Sequence, residues 1–406
     1  MRSAKFAETA LISVITPYLW TFSLFAVVMP PFMIMPRASS VRLWLFHLFR
    51  IIFAVYILFQ FTINFWVEHL NNTTISIFVQ KNSMDSMTYI LSIGINNIQL
   101  IVQAVIYTQA LTVDQLLRSI LGSVKQLEAE IRQHCSAVCS LRSIRWRFHL
   151  RIGLWLLIVC AFLAHLTYAL ATTTLTPLAK GITAYCAVLI QMKGVEYCVS
   201  VQLIHELLHL VQQQLVHLRR ELAHCESLEL RWSLFAQLQT NQKLLSRVWH
   251  LLNQVERYFY LPMFMLFFYN GFIITQTIHW GYINFEHDDF NLRSCRIAYI
   301  VMMIISLFIP CYRSQCCIDE YNRFGTILHK LKTVGGIDEQ LSMRLQEYSL
   351  QLMHQKMLFT CGGFFDINLK NFGTIILTIA TYIVILIQFK LQAETGRKSR
   401  IEVGME

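Results

Sequence analysis

Charge is what this sequence is short of: Lys, Arg, Asp and Glu together make up 14% of its 406 residues, against about a quarter in ordinary soluble domains. Set beside 55% hydrophobic residues and a mean hydropathy of +0.47, that shortage excludes a water-soluble globular chain. Proline is scarce as well, with seven in the whole chain, so long helices can run unbroken. Metal-ligand spacing is missing despite eleven cysteines: Cys135 and Cys139 stand as C-x3-C without partner ligands, and Cys316 and Cys317 sit at a helix end. No metal and no cofactor is expected. A single basic patch is also missing, although the net charge is +10 and the pI about 9.1. The basic residues lie between apolar blocks, which suits control of membrane topology and excludes nucleic acid as a partner. Finally, no clear signal peptide opens the chain. The run from Leu11 to Met35 is too long for one and is interrupted by Pro17, Pro30 and Pro31. Residues 1–42 are expected to be a cytoplasmic amino terminus with a helix lying in the membrane interface.

What is present is a series of apolar blocks long enough to cross about 30 Å of hydrocarbon as helices. They fall at 43–67, 86–110, 150–172, 178–203, 258–280, 296–315 and 371–391, which predicts an all-α polytopic membrane protein with seven spans. Span four runs on into the amphipathic stretch 201–222, span five is preceded by another at 230–255, and 319–359 follows span six with helical periodicity. Alternate connections differ in charge. Arg118, Lys125, Arg132, Arg142, Arg145 and Arg147 follow span two, and Arg219, Arg220, Arg231, Lys243, Arg247 and Arg257 follow span four. The opposite connections carry Lys81, Arg293 and the acidic Glu286, Asp288 and Asp289. Positive charge stays inside, so the amino terminus is expected in the cytoplasm and the tail, 392–406, outside. The overlapping sequons at Asn71 and Asn72 then fall on an outer loop, where they are candidate glycosylation sites.

Seven spans invite comparison with G-protein-coupled receptors, and a G-protein-coupled taste receptor is the alternative reading. Its amino terminus would be extracellular, the reverse of the charge bias. Glu256-Arg257-Tyr258 spells E-R-Y, but at the start of span five instead of the end of span three, and no Asn-Pro dipeptide exists. His205-Glu206-Leu207-Leu208-His209 fits the zinc-protease pattern H-E-x-x-H. The metzincin extension would need Gly and His where this chain has Gln212 and Leu215, so no enzyme is expected. A secondary transporter would show an inverted repeat, and none is found.

The last span is the informative one. Thr381-Tyr382, five apolar residues, then Gln388-Phe389 gives T-Y-h-h-h-h-h-Q-F, preceded by Gly363-Phe364-Phe365-Asp366-Ile367-Asn368. Thr381, Ile385 and Gln388 are spaced i, i+4, i+7 and share one helical face. An amide deep in an apolar helix either lines water or bonds across a helix bundle. The motif and its lead-in resemble the carboxy-terminal signature of insect gustatory receptors, whose length, inverted seven-span layout and short tail also match. That resemblance implies a tetrameric cation channel of the insect odorant and gustatory receptor type, made of identical subunits or of this chain with other gustatory receptors. It implies pore-lining roles for Gln388, Ile385 and Thr381 and a shared cytoplasmic anchor that includes 316–370. It also implies a ligand pocket among the six earlier spans, within 43–315, that opens outward to a small-molecule tastant, in the plasma membrane of sensory neurons.

Pocket candidates near the outer halves are Tyr89, His165, Tyr168, Tyr185, Tyr269, Asn270, Gln276 and Trp280, able to stack on and hydrogen-bond a small organic molecule. Asn96, Asn97 and Gln99 lie deeper, where they serve equally to hold helices together. Lys193 and Glu196, spaced i, i+3, are expected to pair.

Overall fold

In the computed structural model, residues 10–34, 42–81, 86–134, 141–171, 177–223, 228–283, 290–332 and 339–403 are described. Among them the regular structure is all α-helical, and the one β feature is an isolated bridge between Thr360 and Asp366. The helices are α1 (Ala10–Leu24), α2 (Pro31–Ile34), α3 (Arg42–Lys81), α4 (Ser86–Thr112), α5 (Asp114–His134), α6 (Leu141–Ala171), α7 (Pro177–Ala223), α8 (Leu228–Ile283), α9 (Phe290–Lys332), α10 (Glu339–His354) and α11 (Leu369–Val403). Six of them, α3, α4, α7, α8, α9 and α11, contain described stretches long and apolar enough to cross a membrane. The expected third span, 150–172, falls on α6, whose side chains toward its carboxy-terminal end are largely outside the described residues.

Two helices sit at opposite extremes. The apolar stretch of α7 is 94% buried, and α7 packs on α3, α4, α5, α6, α8, α9 and α1, so it is the axis of the bundle. Every residue from Cys186 to Val199 is buried, which is why this span carries apolar residues on all its faces instead of in one stripe, with Gln191, Lys193 and Glu196 enclosed among them. By contrast α11 is the most apolar stretch and only 11% buried, leaning on α8 and α9 along one seam.

The length of α8, 56 residues, reflects the absence of any proline or glycine between Leu228 and Leu261. Pro262 then lies inside it. A proline cannot donate to the carbonyl four residues back, and the Tyr258 carbonyl so released accepts the Gln109 side-chain amide of α4. The helix therefore continues through its proline with the broken bond replaced from a neighbour.

Three helical features stand at the ends of the bundle. The stretch after span two is not a loop but the amphipathic helix α5, which buries Leu117, Ile120, Leu121, Val124, Leu127 and Ile131 against α1 and α8. α1 buries Leu11, Val14, Ile15, Leu19 and Phe22 in its packing on α5, α6 and α7, and the Glu128 carboxylate accepts the Leu11 backbone N–H at 3.0 Å. A carboxylate at that end answers both the orphan donor and the helix dipole. Lastly, α11 continues to Val403, well past residue 391.

α10 closes the end of the molecule at which α5 packs on α8. It buries Leu341, Leu345 and Tyr348, one helical stripe, against α8 and α9. The Tyr348 hydroxyl donates to Asn241 Oδ1 at 2.8 Å, and Asn241 Nδ2 donates to the Val211 carbonyl at 2.8 Å, joining α10, α8 and α7. Burial pushes the Tyr348 phenol well above its ordinary pKa, so it stays a donor.

Candidate functional site

The segment leading into α11 is a tight turn pinned to α8. Ile367 N–H donates to the Phe359 carbonyl at 2.6 Å and Cys361 N–H to the Phe365 carbonyl at 2.9 Å, with Gly362 and Gly363 at φ of 60° and 81° between them. These left-handed values favour glycine, and a Cβ on Gly362 would stand 3.0 Å from the Tyr260 ring. Thr360 donates its hydroxyl to Glu256, and Phe365 packs on Phe267 at 5.4 Å between ring centroids. The E-R-Y triplet thus holds the turn before the last helix: Glu256 takes Thr360, while Tyr258 faces inward toward Lys193. Asn368 caps α11, its Oδ1 accepting the Asn371 N–H at 2.8 Å. Replacing Asn368 with Ala should cost about 1 kcal/mol, read as a lower thermal midpoint of the solubilised protein.

Along α11 the seam runs through Phe372, Ile375, Ile376, Ile379 and Ile383, which pack on the core. Thr381, Ile385 and Gln388 lie about half a turn away from that seam. All three are exposed in the single subunit, as are Tyr382 and Phe389 of the motif. Thr374, Thr378 and Thr381 each return their hydroxyl to the carbonyl four residues back, at 3.4, 2.9 and 2.9 Å. Their polar groups are satisfied within the helix, so this face tolerates either an apolar or an aqueous neighbour.

The pocket candidates divide. Tyr269 and Asn270 are both buried but point to different partners: Tyr269 donates its hydroxyl to Gln99 Oε1 at 3.0 Å, and Asn270 Oδ1 accepts Gln191 Nε2 at 2.9 Å. Ser306 donates to the other end of the Gln191 amide. A cavity of about 10 Å³ beside it, lined by Trp155, Gln191, Met302, Met303 and Ser306, has room for roughly one water. Gln276 and Trp280 both reach Ser92, at 3.3 and 3.2 Å, and Tyr89 is half-buried on α4. His165 and Tyr168 are on α6, but their side chains lie outside the described residues.

Asn71 and Asn72 stand on a helix, not on a loop, because α3 continues to Lys81. Asn71 Nδ2 donates to Glu68 at 3.4 Å, and Asn72 Oδ1 accepts Asn96 Nδ2 at 2.8 Å. Glu68 itself, 2% exposed, also accepts Gln99 Nε2 at 2.7 Å. The signal that would have singled it out is the polar stripe Asn64, Glu68, Asn71 at i, i+4, i+7 on an apolar helix.

Of the H-E-x-x-H residues, Glu206 and His209 have structural partners, while His205 Nδ1 is buried without a hydrogen bond among the described residues. Glu206, buried, lies 3.6 Å from both Arg147 and Arg151 of α6, and His209 Nδ1 is 2.9 Å from Glu320 of α9. Among the described residues no cluster of three His, Cys, Asp or Glu is placed to hold a metal ion. Lys193 and Glu196 do pair, at 2.6 Å, with Lys193 fully buried and 4.6 Å from the centre of the Tyr258 ring.

Comparison with known proteins is consistent along nearly the whole chain. The family described as 7tm Chemosensory receptor matches residues 15–393. The chain is 33% identical to a Drosophila melanogaster protein named gustatory receptor 98b over 93% of this chain and 94% of that one. It is 34% identical to one named gustatory receptor 98c over 62% of each. The fold matches that of the olfactory receptor OR5 from Machilis hrabei with a TM-score of 0.63 at 11% identity, covering 93% of this chain and 97% of that one. The all-helical architecture, the apolar helices and these similarities together place the chain in the insect gustatory receptor family of multi-pass chemosensory receptors.

Proposed function

We propose that this protein is a gustatory receptor that works as a ligand-gated, nonselective cation channel, opened by a small-molecule tastant, in the plasma membrane of sensory neurons. The observation that carries the reading is α11: the most apolar membrane stretch is the least buried one, and its polar face looks away from its own subunit. A helix of that kind is completed by other copies. Around a symmetry axis, four such helices present rings of Thr381, Ile385 and Gln388 to a central path. A ring of isoleucine gates by dewetting, and a ring of glutamine amides coordinates passing cations.

In this assembly the amino terminus is cytoplasmic, with α5, α10 and the extensions of α7, α8 and α9 inside and the end of α11 outside. The charge bias of the connections supports that orientation. No catalytic role is assigned to any residue. The tastant binds among the earlier helices and shifts α8 and α9, on which α11 leans. The test combines topology and current. An amino-terminal epitope tag should become accessible only after the membrane is permeabilised, and cation current should persist in excised patches lacking nucleotide. Surface labelling of intact cells, or current that requires GTP, would instead support a G-protein-coupled receptor.

A further inference from the structure

We infer that the seam between α3, α4 and α8 is a binding site for a protonated amine, with Glu68 as its counter-ion. The inference deepens the reading of the chain as a receptor and assigns a ligand class. Among the described residues Glu68 is a buried carboxylate held by neutral groups: the amides of Asn71 and Gln99 reach it, and Tyr269 supports Gln99 from α8. Among the described residues no Lys, Arg or His forms an ion pair with it, in contrast to the paired Glu196, Glu206 and Glu320.

Two more acceptors lie on the same face of α3. Asn64 spends its amide N–H on Gln103 Oε1 at 3.0 Å, which leaves its Oδ1 buried and unpartnered, and Asn71 Oδ1 is likewise buried without a donor. Asn64, one turn before Glu68, is 1% exposed. The face therefore offers a carboxylate and two amide oxygens over two helical turns. An ammonium group brings one positive charge and up to three donors, which is what these acceptors lack. A carboxylate at this depth without a cation is costly, so a cationic ligand gains more here than a neutral one of the same shape. Access is short: Glu68 lies five residues, or about 8 Å along the axis, from the end of the apolar stretch at Thr73.

The test is a thermal-shift titration of the purified full-length chain in lipid–detergent micelles, which needs no channel activity. Benzylamine and 2-phenylethylamine are compared with benzyl alcohol and 2-phenylethanol, and with sodium chloride alone. The amines should raise the melting temperature, whereas the alcohols and sodium should not. Glu68→Gln should weaken the apparent amine affinity about 10- to 100-fold, the loss of one charge-assisted contact. Glu68→Asp, which keeps the charge but draws it back, should weaken it less and serves if the glutamine variant fails to fold. No amine shift in the wild type, equal shifts for amine and alcohol, a shift from sodium alone, or equal amine affinity in wild type and variant would each overturn the proposal. Amine stabilisation in a protein that passes no current would leave the site standing and count against the channel.

Discussion

Replacing Gln388 with arginine is expected to abolish cation current without loss of protein from the surface. The side chain is exposed on the outer face of α11 and stabilises nothing within its own subunit, so the substitution should fold. In a four-fold ring, four guanidinium groups would surround the path. At an effective dielectric of ~20 and ~6 Å separation, their summed repulsion on a passing cation is roughly 10 kcal/mol. Screening and side-chain movement reduce that, but a residue of ~3 kcal/mol already lowers conductance more than 100-fold. Gln388→Ala should keep the current and change the relative permeability of sodium, potassium and calcium, since it removes a coordinating oxygen and adds no charge. Ile385→Ser, three residues earlier on the same face, should leak without ligand, because a polar ring stays wet. Whole-cell recordings normalised to surface labelling read all three. Unchanged permeation in Gln388→Arg would remove this face from the pore.

That face was legible from sequence because three features coincide there: an apolar block of spanning length, a helical spacing, and a polar residue where hydrocarbon disfavours one. The bundle axis was legible for a related reason, since a helix buried all round carries apolar residues on every face, and 178–203 does so around a few polar residues such as Lys193 and Glu196. α5 was not, because its mean hydropathy is that of a loop and only the spacing of Leu117, Leu121, Val124 and Leu127 marks it as packed. The sequons misled through local grammar: Asn-x-Thr suggests an exposed loop, yet Asn71 and Asn72 turn toward Glu68 and Asn96 in α3. Glu68 passed unnoticed because one acid near the end of a span resembles a boundary residue. Its burial depends on α4 and α8, far away in sequence. Tyr269 and Asn270 show the same limit, since neighbours in sequence face α4 and α7 respectively.

Replacing Lys193 with Met is expected to be the most destabilising single change in the membrane core. Lys193 and Glu196 are buried on α7, the axis of the bundle, with the ammonium 2.6 Å from the carboxylate and stacked over Tyr258. Methionine matches the stem in volume and removes the charge. What remains is a carboxylate enclosed by apolar side chains and the Tyr258 hydroxyl, and breaking a buried pair from one side costs about 3–5 kcal/mol. Against a total stability of about 5–15 kcal/mol, that is enough to deplete the folded receptor. The converse change, Glu196→Leu, should be as severe, since it strands an ammonium in the same place. The double variant Lys193→Met, Glu196→Leu should recover most of the lost stability, because removing both charges also removes the desolvation cost of burying them. Surface biotinylation together with the monodispersity of the solubilised protein separates these outcomes. If the double variant reaches the surface but no longer responds to ligand, the pair acts in coupling α7 to α8 through Tyr258. If it responds as the wild type does, the pair serves only to fix how those two helices pack.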